Sequence, residues 1–440
     1  MDLINDKVGT LYRKYLISAF GSSLVSSIYG VVDTAMVGQY HGPEGAAAMA
    51  VIGPVWNIIY SLGLLSGIGG SVLYSVQRGR GDDRRPANRF LTSSVLLTLI
   101  LAALCFSLLH FAQAPLLRFF GADESILPIA QSYMTYIQFF VPSFMFTSVI
   151  SAFLRNDSDP GRATVAVIIG GIVNVVGDYI CIFLLDMGAK GASLATAIGS
   201  FVSLFVMMTH FLSKKNTLVF ERPLNILKLW RKTLTTGFPV FFVDIAMGIL
   251  TVMFNRQIMS YLNTDALAVY GVIVNISTFV QCCAYGVGQA SQPIFSQNFG
   301  AGKYNRIKTL LKYNIITILI IAAIWLAAML AFPNGFIKLF MTPTKSVLEV
   351  APFIVRCYAT SFVFLLLNVY STYYFQSVLK RTTAFIVSIS RGLVVSGILI
   401  MIMPVIFGAD SLWLAMTVAE FVVTVYAMIQ IGKSVRAFNA

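Results

Sequence analysis

Four carboxylates stand deep in sequence that otherwise suits lipid: Asp33 in IYGVVDTAMVG (28–38), Asp178 in GGIVNVVGDY (170–179), Asp244 and Glu420. An acid inside a membrane span costs a few kcal/mol even on lenient insertion scales, so each one needs a role. Asn174 precedes Asp178 by four residues and so shares its helix face. A carboxylate beside an amide is a hydrogen-bonded place to hold a proton or a small hard cation. Asp33 shares its face with Tyr29, Met36 and Val37, an apolar and aromatic wall carrying one ionisable point. Each of these acids either exchanges its charge or simply bonds across to another helix. Asp244 and Glu420 have no obvious polar neighbour on their own faces, which leaves the two roles level for them. Arg391, in SISRGLVVSG (388–397), is either a counter-ion to a buried acid or a snorkelling arginine.

The elements that carry these residues must be membrane helices. Of the 440 residues 57% are hydrophobic and 11% charged, against about 45–50% and about 25% in soluble domains. Apolar runs of about 20 residues, long enough to span, recur without an intervening polar domain. Twelve are expected, near 15–38, 46–75, 90–112, 127–153, 162–185, 191–213, 233–260, 266–295, 307–331, 347–378, 382–407 and 410–432. The net charge of +13 is distributed as topology rather than as a nucleic-acid surface. Of 31 Lys and Arg, 24 fall before the first span, after the even-numbered ones or at the end, Arg155 and Arg162 following the fourth among them. The odd-numbered connections hold only Arg118, Lys190, Lys338 and Lys345. By the positive-inside rule both termini are expected in the cytoplasm, which requires an even number of spans. The first apolar segment is too long for a cleaved leader and should remain as the first span. All five cysteines fall in expected spans without CxxC spacing or a nearby His, so packing is their expected role and no metal centre is foreseen.

The chain also repeats itself. At an offset of 220, MGAKGASLATAIGSF (187–201) aligns with FGADSLWLAMTVAEF (407–421), and LLRFFG (116–121) with FIKLFM (336–341). YSVQRGRG (74–81) resembles FSQNFGAG (295–302), and Asn57 of GPVWN falls near Asn275 of GVIVN. The expected fold is therefore an all-α integral membrane protein: twelve transmembrane helices in two six-helix lobes, 1–213 and 233–440, joined by a basic cytoplasmic linker at 214–232. Six spans per half put both halves in the membrane the same way up, related by a pseudo-two-fold axis along the membrane normal. Two such bundles leave a central cleft near the midplane, where secondary transporters bind substrate.

IYGVVDTAMVGQYHG (28–42), GGIVNVVGDYICIF (170–183), MGAKGASLATAI (187–198), TGFPV (236–240) and SISRG (388–392) together resemble the multidrug and toxic compound extrusion (MATE) transporters, in the right order over the whole chain. The resemblance implies two lobes around a V-shaped cavity and extrusion of organic cations and other amphiphiles in exchange for H⁺ or Na⁺. It also implies a cation site built from Asp33, Asn174, Asp178 and Thr196. Two departures stand out. The family commonly has a proline early in its first helix, where this chain reads LISAFGSSL (16–24). Some branches carry an essential acid in the seventh helix, and the sequence does not fix Asp244 to that turn.

The expected function is thus secondary active antiport by alternating access at the cell membrane. A carboxylate that must be neutralised by one of two competing cations supplies the differential affinity that switching requires. Tyr29, Met36, Trp56, Asn57, Asp244, Asn275 and Arg391 are the candidates for a loosely specific substrate cavity. No cofactor beyond the coupling ion is expected; the partners foreseen are the bilayer and small cationic amphiphiles, without nucleic acid, and the chain is expected to work as a monomer. A lipid-linked saccharide flippase is the alternative, for which more basic residues would be expected in the cleft. Intramembrane proteolysis also uses paired aspartates, but Asp178 follows NVVG rather than Gly-x-Gly, and neither HExxH nor GxSxG occurs, so no enzyme is foreseen.

Overall fold

A computed structural model describes residues 2–81, 83–341 and 343–438. Among the described residues twelve helices are long and apolar enough to cross a membrane: Val8–His41, Pro43–Arg80, Arg85–Phe111, Leu127–Asn156, Pro160–Leu184, Gly188–Leu212, Ile226–Tyr261, Thr264–Gly300, Tyr304–Ala331, Lys345–Ser377, Arg381–Phe407 and Ala409–Ala437. These are spans one to twelve below. Several exceed their expected limits. Span one begins at Val8, and span seven at Ile226, so Lys228, Arg231 and Lys232 lie on its first turns. Span four continues to Asn156, which places Arg155 inside the helix and buries it instead of leaving it in a basic loop.

The two halves repeat each other in detail. Short helices Gln113–Phe119 and Pro333–Phe340 follow spans three and nine. Gly188 and Gly408, paired by the repeat at the starts of spans six and twelve, both have positive φ, 55° and 86°. Ser143 and Ser200 join spans four and six by hydroxyls 3.0 Å apart, and Thr360 and Thr417 join spans ten and twelve at 2.7 Å. Both pairs are 57 residues apart in the chain.

The lobes meet where span two packs on spans seven and eight and span eight packs on spans one and two. Residues 63–76 of span two and 283–296 of span eight are buried without interruption. A Cβ on Gly79 would lie 2.0 Å from the Gln297 carbonyl oxygen, and one on Gly300 would lie 2.0 Å from that of Val76. Each glycine thus admits the backbone of the other lobe, and the two contacts are the same contact seen from either side. This crossing closes the molecule at the end that carries the basic connections. Toward the other end the unbroken burial stops, and Asn57, Tyr60, Asn275 and Thr278 are exposed.

The connection from span six to span seven is held by the amino-terminal lobe. Asn88 donates to the Thr217 carbonyl (3.4 Å) and accepts from the Val219 amide (3.3 Å), while the Glu221 amide donates to the Thr92 hydroxyl (3.0 Å). Asp157 accepts from the Thr217 amide at 2.9 Å and from the Thr217 hydroxyl. His210, fully buried at the end of span six, bridges Asp157 (2.8 Å) and Asp159 (3.0 Å), and Asp159 also pairs with Arg162 at 3.0 Å.

Candidate functional site

Spans one, four, five and six bring the amino-terminal polar residues to one buried place. Asp33 accepts a short hydrogen bond from the Tyr133 hydroxyl through Oδ2, and its Oδ1 has no partner. Asn174 donates to the Thr196 hydroxyl at 3.0 Å, and its own carbonyl oxygen is unpartnered. Asp178 is fully buried with neither carboxylate oxygen bonded. Four acceptor oxygens therefore stand buried without donors, two of them on Asp178. Buried polar atoms are nearly always satisfied, so such a concentration of free acceptors marks this place as the candidate site.

The local fold explains why they converge. Asn174 and Asp178 are four apart on the regular part of span five, and immediately after Asp178 the helix changes to a π-helical turn, Tyr179–Leu184. Turns of that kind cluster at functional sites because they re-aim the side chains beside them. Thr196 faces Asn174 from span six, where small residues let the helices close: a Cβ on Gly199 would lie 2.7 Å from the Gly170 carbonyl oxygen. Tyr133 was not legible as a site residue, since a lone tyrosine in an apolar run carries no spacing signal.

The carboxy-terminal lobe satisfies its charges differently. Glu420 is fully buried and forked by Arg391, with Nη2 to Oε1 at 2.7 Å and Nε to Oε1 at 3.1 Å, while Asn368 donates to Oε2 at 2.6 Å. Arg391 is thus a counter-ion, as one of its two expected roles foresaw, and its partner comes from another helix. It also sits in a π-helical turn, Ser390–Val394. Asp244 accepts from the Tyr285 hydroxyl at 2.5 Å, Gln281 donates to that hydroxyl at 2.5 Å, and Asp244 Oδ2 is unpartnered. A cavity of about 50 Å³ opens beside this group, lined among others by Met247, Phe254, Tyr270, Gln281, Tyr358 and Arg391. It belongs to the carboxy-terminal lobe and does not touch the Asp33 cluster.

Other sequence candidates are spread around the cleft. Met36 and Trp56 pack on the apolar core of the amino-terminal lobe, Trp56 edge-on to Phe144 with ring centroids 4.7 Å apart. Tyr29 lies against span five at Gly171. Asn57 and Asn275 are exposed, and Asn275 bonds only its own helix, at the Gly271 carbonyl.

Twelve spans in two repeated lobes, with buried ionisable groups in each, define a membrane transporter. The sequence model of the MatE family matches residues 18–180 and 239–403, and the chain belongs to that family. Among curated relatives, the multidrug export protein MepA of Staphylococcus saprophyticus is 26% identical over 416 residues, covering 92% of this chain and 90% of the relative. MepA of Staphylococcus aureus strain MRSA252 is 26% identical over 422 residues, with the same coverage of 92% and 90%. Among solved structures, an outward-facing multidrug resistance MATE transporter superposes with a TM-score of 0.90 at 21% identity, over 99% of this chain and 98% of that one. A MOP superfamily transporter from Pyrococcus furiosus, described as having a binding pocket of reversed polarity, superposes with a TM-score of 0.91 at 20% identity, over 100% and 98%. At these identities the solved structures support the fold.

Proposed function

We propose that this protein exports small cationic amphiphiles by alternating access in exchange for H⁺ or Na⁺, with Asp33, Asn174, Asp178 and Thr196 as the ion-coupling site. The observation that carries the reading is the set of buried acceptor oxygens on Asp33, Asn174 and Asp178 with no donor. Two close carboxylates with no basic side chain bonded to either among the described residues are stabilised by whatever cation enters. A proton can neutralise one of them. A sodium ion can use Asp33, Asp178, the Asn174 carbonyl and the Thr196 hydroxyl, all hard oxygen ligands. Tyr29, Met36, Trp56, Asn57, Asp244, Asn275 and Arg391 would border the substrate path, where Met and aromatic walls suit loose specificity.

In this reading residues 1–213 and 233–440 are the two bodies that rock, the basic end faces the cytoplasm, and one chain suffices. The names of the MepA relatives support multidrug export. The test is ethidium uptake into inside-out vesicles under an imposed proton or an imposed sodium gradient, for the native chain and Asp33→Asn. Uptake driven by one gradient and abolished by Asp33→Asn is expected. Failure of both gradients to drive uptake would sink the antiport reading.

A further inference from the structure

The segment ahead of span one belongs to one lobe by sequence and to the other by contact. Asp2 Oδ1 accepts from the amides of Ile4 (2.8 Å) and Asn5 (3.1 Å), which folds residues 2–6 into a compact turn. That turn is seated on the opposite lobe, where span eight gives way to span nine. Asn298, fully buried near the end of span eight, donates to the Leu3 carbonyl at 2.9 Å. Arg306, on the first turn of span nine, donates through Nη2 to the carbonyls of Leu3 (3.2 Å) and Asp6 (2.6 Å), and through Nε to Asn298 Oδ1 (2.8 Å). Lys303 donates to Asn5 Oδ1 at 2.9 Å. The Leu3 side chain is 2% exposed and belongs to the same apolar cluster as Ile294, Phe295 and Ile307.

The crossing that this turn adjoins is an imperfect seal. Ser75 finds the Pro293 carbonyl across it at 3.3 Å, but the Gln292 amide nitrogen and the Ser296 hydroxyl are buried there without a partner. An unpaired buried polar group favours any state in which water reaches it, so the closed crossing carries a cost that a fastening elsewhere offsets. The base of span seven supplies one tie, from Trp230 Nε1 to the Ser93 carbonyl at 2.9 Å. The connection before it, bonded to Asn88 and Thr92, runs on from the lobe that holds it and can travel with that lobe. Residues 2–6 differ: they are joined to span one on one side and bonded to spans eight and nine on the other, so their bonds lie across the line along which the lobes part.

We propose that residues 2–6 are a latch: seated on Asn298, Lys303 and Arg306 they hold the basic end closed, and their release lets that end open. The inference rests on the alternating-access reading above and adds the device that sets which state is at rest. Arg306 is the centre of the seat, because one side chain gathers two carbonyls of the turn and the Asn298 side chain. Hydrogen bonds from a charged donor are about twice as strong as neutral ones, and losing two of them shifts the ratio of open to closed by about tenfold or more.

Amide hydrogen exchange of the detergent-purified full chain, followed peptide by peptide, reads the latch and the crossing in one sample for native protein, Arg306→Lys and Arg306→Gln. Arg306→Gln is expected to speed exchange by about tenfold or more both in residues 2–7 and at the crossing, residues 71–76 and 289–296, with Arg306→Lys between it and native. Spans three and four should exchange as they do in native protein. Faster exchange at 2–7 with the crossing unmoved would make the turn a local anchor and overturn the latch. No change at either place, or a rise spread evenly over all spans, would overturn it too. Should Arg306→Gln fail to fold, Leu3→Ser loosens the turn from its own side and carries the same comparison. Under alternating access the other end, around Asn57 and Asn275, should exchange more slowly as the crossing opens; exchange that rises at both ends together would support the latch and overturn alternating access.

Discussion

At the scale of single residues the Arg391–Glu420 pair and the Asp33 cluster hold charge in opposite ways. The Arg391–Glu420 pair is closed, with both carboxylate oxygens bonded and Asn368 completing the set. Removing one partner of such a pair leaves a bare charge in a low-dielectric place and costs about 3–5 kcal/mol. Arg391→Ala is therefore expected to lower the thermal midpoint of the purified protein sharply, and the paired change Arg391→Met with Glu420→Leu to recover most of the loss. The Asp33 cluster is open, with donors missing where the other lobe has them. A ligand that binds only the folded state stabilises it by about 2.7 kcal/mol at a hundred times its dissociation constant. If sodium is the coupling ion, adding it should raise the melting temperature of the native chain and leave that of Asp178→Asn unmoved; a shift of equal size in both would remove Asp178 from the site. The pairing of Asn174 with Asp178 was legible because helical spacing fixes it. Tyr133 and the Glu420 partners were not, since they come from other helices and only the packed structure sets which residues face each other.

At the scale of elements, the two π-helical turns and the connection between the lobes matter most. Each turn adjoins a functional candidate, Asp178 in span five and Arg391 in span eleven. Neither was visible in the sequence, because an extra residue in a helix leaves the apolar pattern nearly intact. The turn at 157–159 anchors the connection through Asp157, Asp159 and His210. The Asp159 carboxyl is lowered to about 2, first by its hydrogen bond with His210 and then by Arg162, against burial that opposes this. A folded-state value below the unfolded one, about 3.9, stabilises the fold fully above that pH and progressively less as pH falls toward 2. Asp159→Asn should then lower the melting temperature at pH 7, with the difference from native shrinking below pH 4. A difference that grew with acidification would contradict the pairing. The apolar runs foretold the twelve spans found among the described residues, and the basic residues between them asked for an even number. Their distribution misjudged Arg155, because a helix that runs a turn further than its apolar stretch carries its last charge indoors.

At the scale of the whole molecule the closed end depends on backbone meeting backbone. A methyl group on Gly79 or Gly300 would lie 2.0 Å from a carbonyl oxygen of the other lobe, and no rotamer change relieves a clash with main chain. Gly79→Ala and Gly300→Ala are each expected to shift the population toward states parted at the basic end, read as a longer spin-label distance between spans two and eight at that end. An unchanged distance distribution would show that the crossing tolerates more room than it presents. The two-lobe plan itself was readable from matched segments 220 residues apart, since duplicated sequence announces duplicated structure. The reciprocal crossing was not, because neither glycine differs in sequence from the many others that only ease packing within one lobe.

That crossing also has the form of a symmetric interface. A contact in which each side offers the same glycine to the other is what two identical six-span chains make about a two-fold axis, where one codon serves both halves of the interface. In a single chain the two copies are free to differ, and here one lobe holds the open Asp33 and Asp178 while the other seals Glu420 with an arginine. Only the seam still has to match, and the two glycines meet that demand from either side.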